Sequence, residues 1–185
     1  MGIIKSQAIK STALSFVGTI FGSISRIIMP FFLSTTQIGL INILDSVSGT
    51  FLALFNFGYG LLLKKMFPNY RDSKNGHHGF LVLGFMVSIT GIIFALSTYF
   101  IFDEYILTSN SQDNALLFSF SFLIPPLIFI RILGANTDAY VKMLFNTVIG
   151  TFLESFLMKI LMLGAMVLIA ASLISFELYL YLYVT

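Results

Sequence analysis

The chain has 185 residues, 57% of them hydrophobic and only 10% charged, with a formal net charge of +2. Soluble domains carry about 25% charged residues, so a water-exposed globule could not cover this much apolar surface; long apolar runs with few charges are the mark of membrane spans. The small net charge argues against a nucleic-acid partner, and the absence of Cys excludes disulfides, thiolate metal sites and a cysteine nucleophile.

Lys5 and Lys10 precede an apolar run from Ser11 to Leu33 that contains Arg26. It is too long for a signal-peptide core and lacks a small-residue cleavage site, so it reads as a retained first span. Further spans are expected over 39–62, 79–102, 114–134 and 149–174, with 176–185 opening a sixth. Each complete span matches a hydrocarbon core of about 30 Å at ~1.5 Å rise per residue. The expected fold is therefore an all-α polytopic transmembrane helix bundle forming a single domain over residues 1–185.

The connections carry turn formers: Ser34-Thr35-Thr36-Gln37, a polar loop from Lys64 to His78, another from Asp103 to Asp113, and a weaker one from Gly134 to Asn146. His77-His78 reads as part of a solvated loop and not as a metal site. Lys5, Lys10, Lys64, Lys65, Arg71, Lys74 and Lys142 fall on one side of an alternating path. Asp103, Glu104, Asp113 and Glu177 fall on the other, so the positive-inside rule puts the N-terminus in the cytoplasm. Tyr59, Tyr70, Tyr99, Tyr105 and Tyr140 are expected near span ends, as an aromatic belt, while the Tyr179–Tyr183 cluster falls either there or within the last span.

Three spans carry a stripe of small and polar residues at steps of three and four. Span one has Ser11, Ser15, Gly18, Gly22, Ser25 and Met29; span two has Gly39, Asn42, Ser46, Gly49, Ala53, Asn56 and Gly60; span three has Gly84, Ser88, Gly91, Ala95 and Thr98. In lipid such stripes serve helix packing, because small residues permit close approach. They can equally line a hydrophilic cavity, and span two favours that use through Asn42, Asp45, Ser46 and Asn56.

A charge inside a span costs about 2.5–3.5 kcal/mol on insertion scales unless it meets water or a partner. Arg26 is expected to face a cavity or to pair with Asp45, which comes to similar depth on the antiparallel second span. Glu154 either lines the cavity or lies at the interface, while Arg131 and Lys159 are expected to snorkel. Pro125-Pro126 in span four deprives the carbonyls of Ser121 and Phe122 of their helical donors, giving a hinge or a static kink. Neither phosphate-binding nor hydrolase or metalloprotease motifs are present, and no loop is long enough for a soluble catalytic domain, so no enzyme, metal or cofactor is expected.

The stretch Phe16–Asp72, FVGTIFGSISRIIMPFFLSTTQIGLINILDSVSGTFLALFNFGYGLLLKKMFPNYRD, resembles the start of bacterial polysaccharide biosynthesis membrane proteins. These are the O-antigen and capsule flippases of the multidrug/oligosaccharidyl-lipid/polysaccharide exporter superfamily. The shared pattern is a basic N-terminal segment, a Gly/Ser-rich first span with an Arg, the "IGLINIL" start of span two, and "FGYG" leading to "KKMFPNYRD"; the later "FLESFLMKILMLGAMVLIA" is similar to the family's fifth span. The resemblance implies two six-helix lobes around a cationic cavity with alternating access. It implies an undecaprenyl-diphosphate-linked oligosaccharide as substrate, with H+ or Na+ as candidate coupling ion. Arg26 matches the cavity-facing arginine of related lipid flippases, and membrane lipids and the polysaccharide polymerase machinery are the implied partners. Family members have about twelve to fourteen spans, so this chain corresponds to one incomplete lobe that is not expected to transport alone. A drug or cation antiporter of the same superfamily and a non-transporting membrane scaffold are the rival readings.

Overall fold

Backbone N–H and C=O groups in hydrocarbon must be satisfied within the protein, and a helix does this inside a single segment. A computed structural model of the chain describes residues 3–70, 72, 79–110, 115–144 and 147–184, and every element among them is helical. The helices are α1 (Ile3–Phe32), α2 (Thr35–Phe55), α3 (Tyr59–Met66), α4 (Phe80–Asn110), α5 (Ala115–Phe120), α6 (Ile124–Met143), α7 (Thr147–Thr151), α8 (Met158–Ala170) and α9 (Phe176–Val184). Four stretches are long and apolar enough to cross a membrane: Gln7–Phe32, Thr35–Phe55, Phe80–Tyr105 and Leu116–Met143. A shorter apolar helix covers Ser155–Ala170. Arg71, Lys74, His77 and His78 lie outside the described residues.

The helices overrun several expected boundaries. Ser34 and Gln37 do not make a simple turn: Ser34 Oγ accepts from the Gln37 N–H at 3.3 Å and Gln37 Oε1 accepts from the Ser34 N–H at 2.9 Å. That reciprocal capping box starts α2 at Thr35, four residues before the expected 39. The same helix stops at Phe55 and not at 62, because Phe57 and Gly58 take φ values of 48° and 67°. Left-handed backbone is easy for Gly but costs Phe about 1–2 kcal/mol, so this break is built in. Downstream, α4 runs on through Asp103 and Glu104 to Asn110, and α6 runs through Gly134 to Met143; both regions were expected to be loops.

The chain forms two units, Met1–Ile38 with Val141–Thr185, and Gly39–Tyr140. In the first unit α1 packs on α7, on a π-helical segment at Phe152–Leu157, and on α8. The stripe of α1 supplies the contact: Gly18 and Ser25 are buried, and Ser11, Ser15, Gly22 and Met29 are half-buried. Gly18 rests on the Ser155 carbonyl so closely that any Cβ would collide with it. The Lys159 stem crosses Gly22, its Cδ 3.0 Å from where a Cβ would stand, while Phe21 meets Phe156 edge to face at 6.3 Å. Lys159 is thus held against α1. In the same unit α9 folds back on α8, with the Ser175 Oγ accepting from the Leu178 N–H at 3.4 Å.

In the second unit the stripe of α4 is also a packing surface. Gly84, Ser88, Gly91 and Ala95 are all buried. Gly84 makes room for the Tyr59 ring of α3, whose hydroxyl donates to the Phe80 carbonyl at 2.7 Å. Ser88 Oγ accepts from Asn136 Nδ2 of α6 at 2.8 Å and donates to the Gly84 carbonyl at 2.8 Å. Leu40, Leu44, Leu63, Ile124, Ile128 and Ile132 complete an apolar centre. Tyr59, Tyr99, Tyr140 and Tyr179 are buried side chains; among the tyrosines expected in a belt, Tyr70, Tyr105 and Tyr181 stay exposed.

Because the Gly18 contact leaves no space, Gly18→Leu should lower the stability of the purified chain by at least the ~1–3 kcal/mol typical of overpacking. Gly164→Leu should have little effect, since nothing lies within 4 Å of a Cβ there. Thermal unfolding of both variants in one detergent checks this.

Candidate functional site

In hydrocarbon, a hydroxyl can be tolerated if it bonds to its own helix. Thr19, Thr50, Thr90, Thr98 and Thr137 all do so, each donating to the carbonyl four residues back at 2.8–2.9 Å. They therefore carry no demand for water. The exposed side chains of Asn42 and Ser46 on α2 have no such bond.

The buried side of α2 is Leu40, Ile41, Leu44, Ser48 and Phe51. Opposite it, Asn42, Ser46 and Ala53 are exposed, and Asp45 and Gly49 are half-buried. At 3.6 residues per turn these five fall within about 100° of the helix circumference. The stripes of α1 and α4 are covered by neighbouring helices, but this one is open. The side chains of Asn42 and Ser46 form no hydrogen bond with the described residues. An amide left unpaired in an apolar medium costs about 4–8 kcal/mol on a cyclohexane reference, so the face of Asn42 requires water or a polar partner.

Asp45 and Arg131 mark the edge of this face. Asp45 is at the middle of α2, and Arg131 stands near the middle of the long apolar stretch Leu116–Met143. Arg131 Nη2 binds the Asp45 carboxylate, and Nη1 donates to the Asp45 backbone carbonyl at 3.3 Å. The pairing removes two net charges from mid-helix positions. It differs from the sequence reading in both partners. Asp45 is matched with Arg131 where Arg26 was expected, and Arg131 does not snorkel. The error traces to the boundary of α6: placing a loop at Gly134 puts Arg131 near an interface, whereas the helix continues to Met143. The guanidinium lies beside Gly49, with Nη1 3.5 Å from where a Cβ would be, an ordinary contact distance. The pair is not enclosed, the two side chains being 29% and 43% exposed.

The remaining expected site residues fall elsewhere. Arg26 is exposed on α1, off the packed stripe, about 9 Å along the axis from Phe32. Pro30 follows four residues later in the same helix, so the Arg26 carbonyl lacks its helical donor. Asn56 does not extend the α2 face; it sits at the break, where its carbonyl accepts from the Tyr59 N–H at 3.2 Å. Glu154 belongs to the π-helical segment, and its side chain lies outside the described residues. Pro125 and Pro126 occupy the first turn of α6, after a 3-10 turn at Ser121–Leu123 that separates it from α5. There a missing N–H is cheap. The Ser121 carbonyl that Pro125 deprives is reached by the Tyr99 hydroxyl at 3.4 Å and by the Ile124 N–H.

No protein-family model, curated protein or solved structure matches the chain.

Asp45→Asn and Arg131→Gln should each destabilise the purified chain by about 1–3 kcal/mol, less than the ~3–5 kcal/mol of a fully enclosed pair. The double variant should be less damaging than the sum by about 1 kcal/mol. Unfolding of all four proteins in one detergent measures the coupling; strict additivity would show that the pair contributes nothing.

Proposed function

We propose that this chain belongs to a multi-span flippase that moves undecaprenyl-diphosphate-linked oligosaccharide across the bacterial cytoplasmic membrane by alternating access, for polysaccharide biosynthesis. The carrying observation is the open face of α2: the side chains of Asn42 and Ser46 are exposed and form no hydrogen bond with the described residues, in the middle part of an apolar helix. Such a face is stable where it lines an aqueous path. Support of a second kind comes from the resemblance of Phe16–Asp72 to polysaccharide flippases. In this reading the four long stretches and the α7–α8 segment are five spans, α9 opens a sixth, and the basic residues keep the N-terminus cytoplasmic. Arg26, exposed and with its carbonyl lacking a helical donor, attracts the diphosphate of the lipid carrier through its planar fork of donors. The interruptions at Asn56–Gly58 and Ser121–Leu123 supply places where helices rock between inward- and outward-open states.

The chain has no native Cys, so introduced cysteines report without background. Cysteines at positions 42 and 46 should react with a membrane-impermeant maleimide. One at position 93, where an exposed Ile lies on α4, should stay protected by lipid. Protection of all three would favour a scaffold with no transport path. In producing cells, Arg26→Ala should abolish most surface glycan export while the protein still reaches the membrane; unchanged export refutes the flippase reading.

A further inference from the structure

We infer that Arg131 is an anion-binding residue and that Asp45 is the internal counter-ion it exchanges for a phosphate group. A guanidinium offers five N–H donors in a rigid fork that fits two oxygens of a phosphate. In this structure Asp45 takes that place twice over, through its carboxylate and its backbone carbonyl. A purely structural pair between apolar helices would be expected to exclude surrounding medium. This one keeps 29% of the Arg131 side chain and 43% of the Asp45 side chain exposed. The position that could cover it is Gly49, one turn after Asp45, and it has no side chain. The same pair borders Asn42 and Ser46, whose polar groups are open to the same side of α2. An arriving phosphate would meet Arg131 together with neutral donors on α2, and the displaced carboxylate would remain nearby to recover the guanidinium on release. The empty state then never leaves a bare cation at mid-helix depth. The inference rests on the reading of the α2 face as water-facing; it requires neither Arg26 nor a glycan.

The test is calorimetric titration of the whole purified chain in dodecyl maltoside. Two phosphate probes are compared, dodecyl phosphate and inorganic phosphate, with dodecyltrimethylammonium as the charge control. The wild-type chain should bind dodecyl phosphate and not the ammonium amphiphile. Asp45→Asn, which weakens the competitor, should tighten binding about tenfold, and Arg131→Gln should weaken it by about tenfold or more. Gly49→Leu, which covers the pair, should also weaken it. Binding of inorganic phosphate with the same variant pattern assigns the free ion as a sufficient ligand; binding of dodecyl phosphate alone assigns an amphiphile headgroup. No binding of either phosphate by the wild-type chain, or Asp45→Asn binding no tighter than wild type, overturns the proposal. If Arg131→Gln fails to fold, those two results still decide. Arg131-dependent binding alongside an inert Arg26→Ala in cells would sink the flippase reading and leave this one standing; the converse pattern would sink this one alone.

Discussion

Every polar group placed at the depth of an apolar helix must find a partner, and this requirement organises the chain. Most groups meet it locally. Threonine hydroxyls donate to the carbonyl one turn back, and Ser88 passes a hydrogen bond from Asn136 to the Gly84 carbonyl. Tyr59 and Tyr99 reach carbonyls on or beside other helices. Arg131 and Asp45 meet it by neutralising one another across α2 and α6. Some do not meet it: the side chains of Asn42 and Ser46 on α2 and of Arg26 on α1 form no hydrogen bond or ion pair with the described residues, and Ser11 Oγ, Asn56 Oδ1, Asn136 Oδ1 and the Tyr179 hydroxyl are buried without one.

Glycine decides how closely the helices approach. Gly18 lets α1 sit on the Ser155 carbonyl, within a π-helical segment that bulges from the regular helix. Gly84 lets the Tyr59 ring lie on α4, and Gly49 presents no side chain beside the Arg131 guanidinium. In the absence of a hydrophobic force between helices in lipid, such contacts and the interhelical hydrogen bonds supply the cohesion. One residue type therefore serves both adhesion and access. At positions 18 and 84 the missing side chain admits a neighbouring group; at position 49 it leaves an ion pair partly open.

Breaks in the helices follow the same logic. The turn at Phe57 and Gly58 ends α2 about 15 Å beyond Asp45, and the 3-10 turn at Ser121–Leu123 precedes Arg131 by about the same distance. Both helices that carry the ion pair are interrupted, and in the second case a proline pair begins the new segment where its missing donors are least costly. A change at either break would be felt by the pair, because each charge is fixed to a short, regular length of helix between the break and the far terminus.

Much of the architecture was legible without coordinates. Composition pointed to helices apolar enough to cross a membrane, and the periodic small residues marked the faces of α1 and α4 for packing or for a cavity; the structure packs them. Asn42, Asp45 and Ser46 stood out because their polarity exceeded what packing needs. Arg131 was missed, since its role depended on where α6 ended, and helix continuation past Gly134 has no strong local signal: one glycine costs only about 1 kcal/mol in a helix. The break at Phe57 was missed for a related reason, since Phe rarely takes positive φ and nothing local announces it. Local chemistry, in short, determined that helices form and which of their faces are small or polar. Only the tertiary structure decided which stripe is covered, which is left open, and which arginine meets Asp45, because those outcomes depend on neighbours far away in the chain.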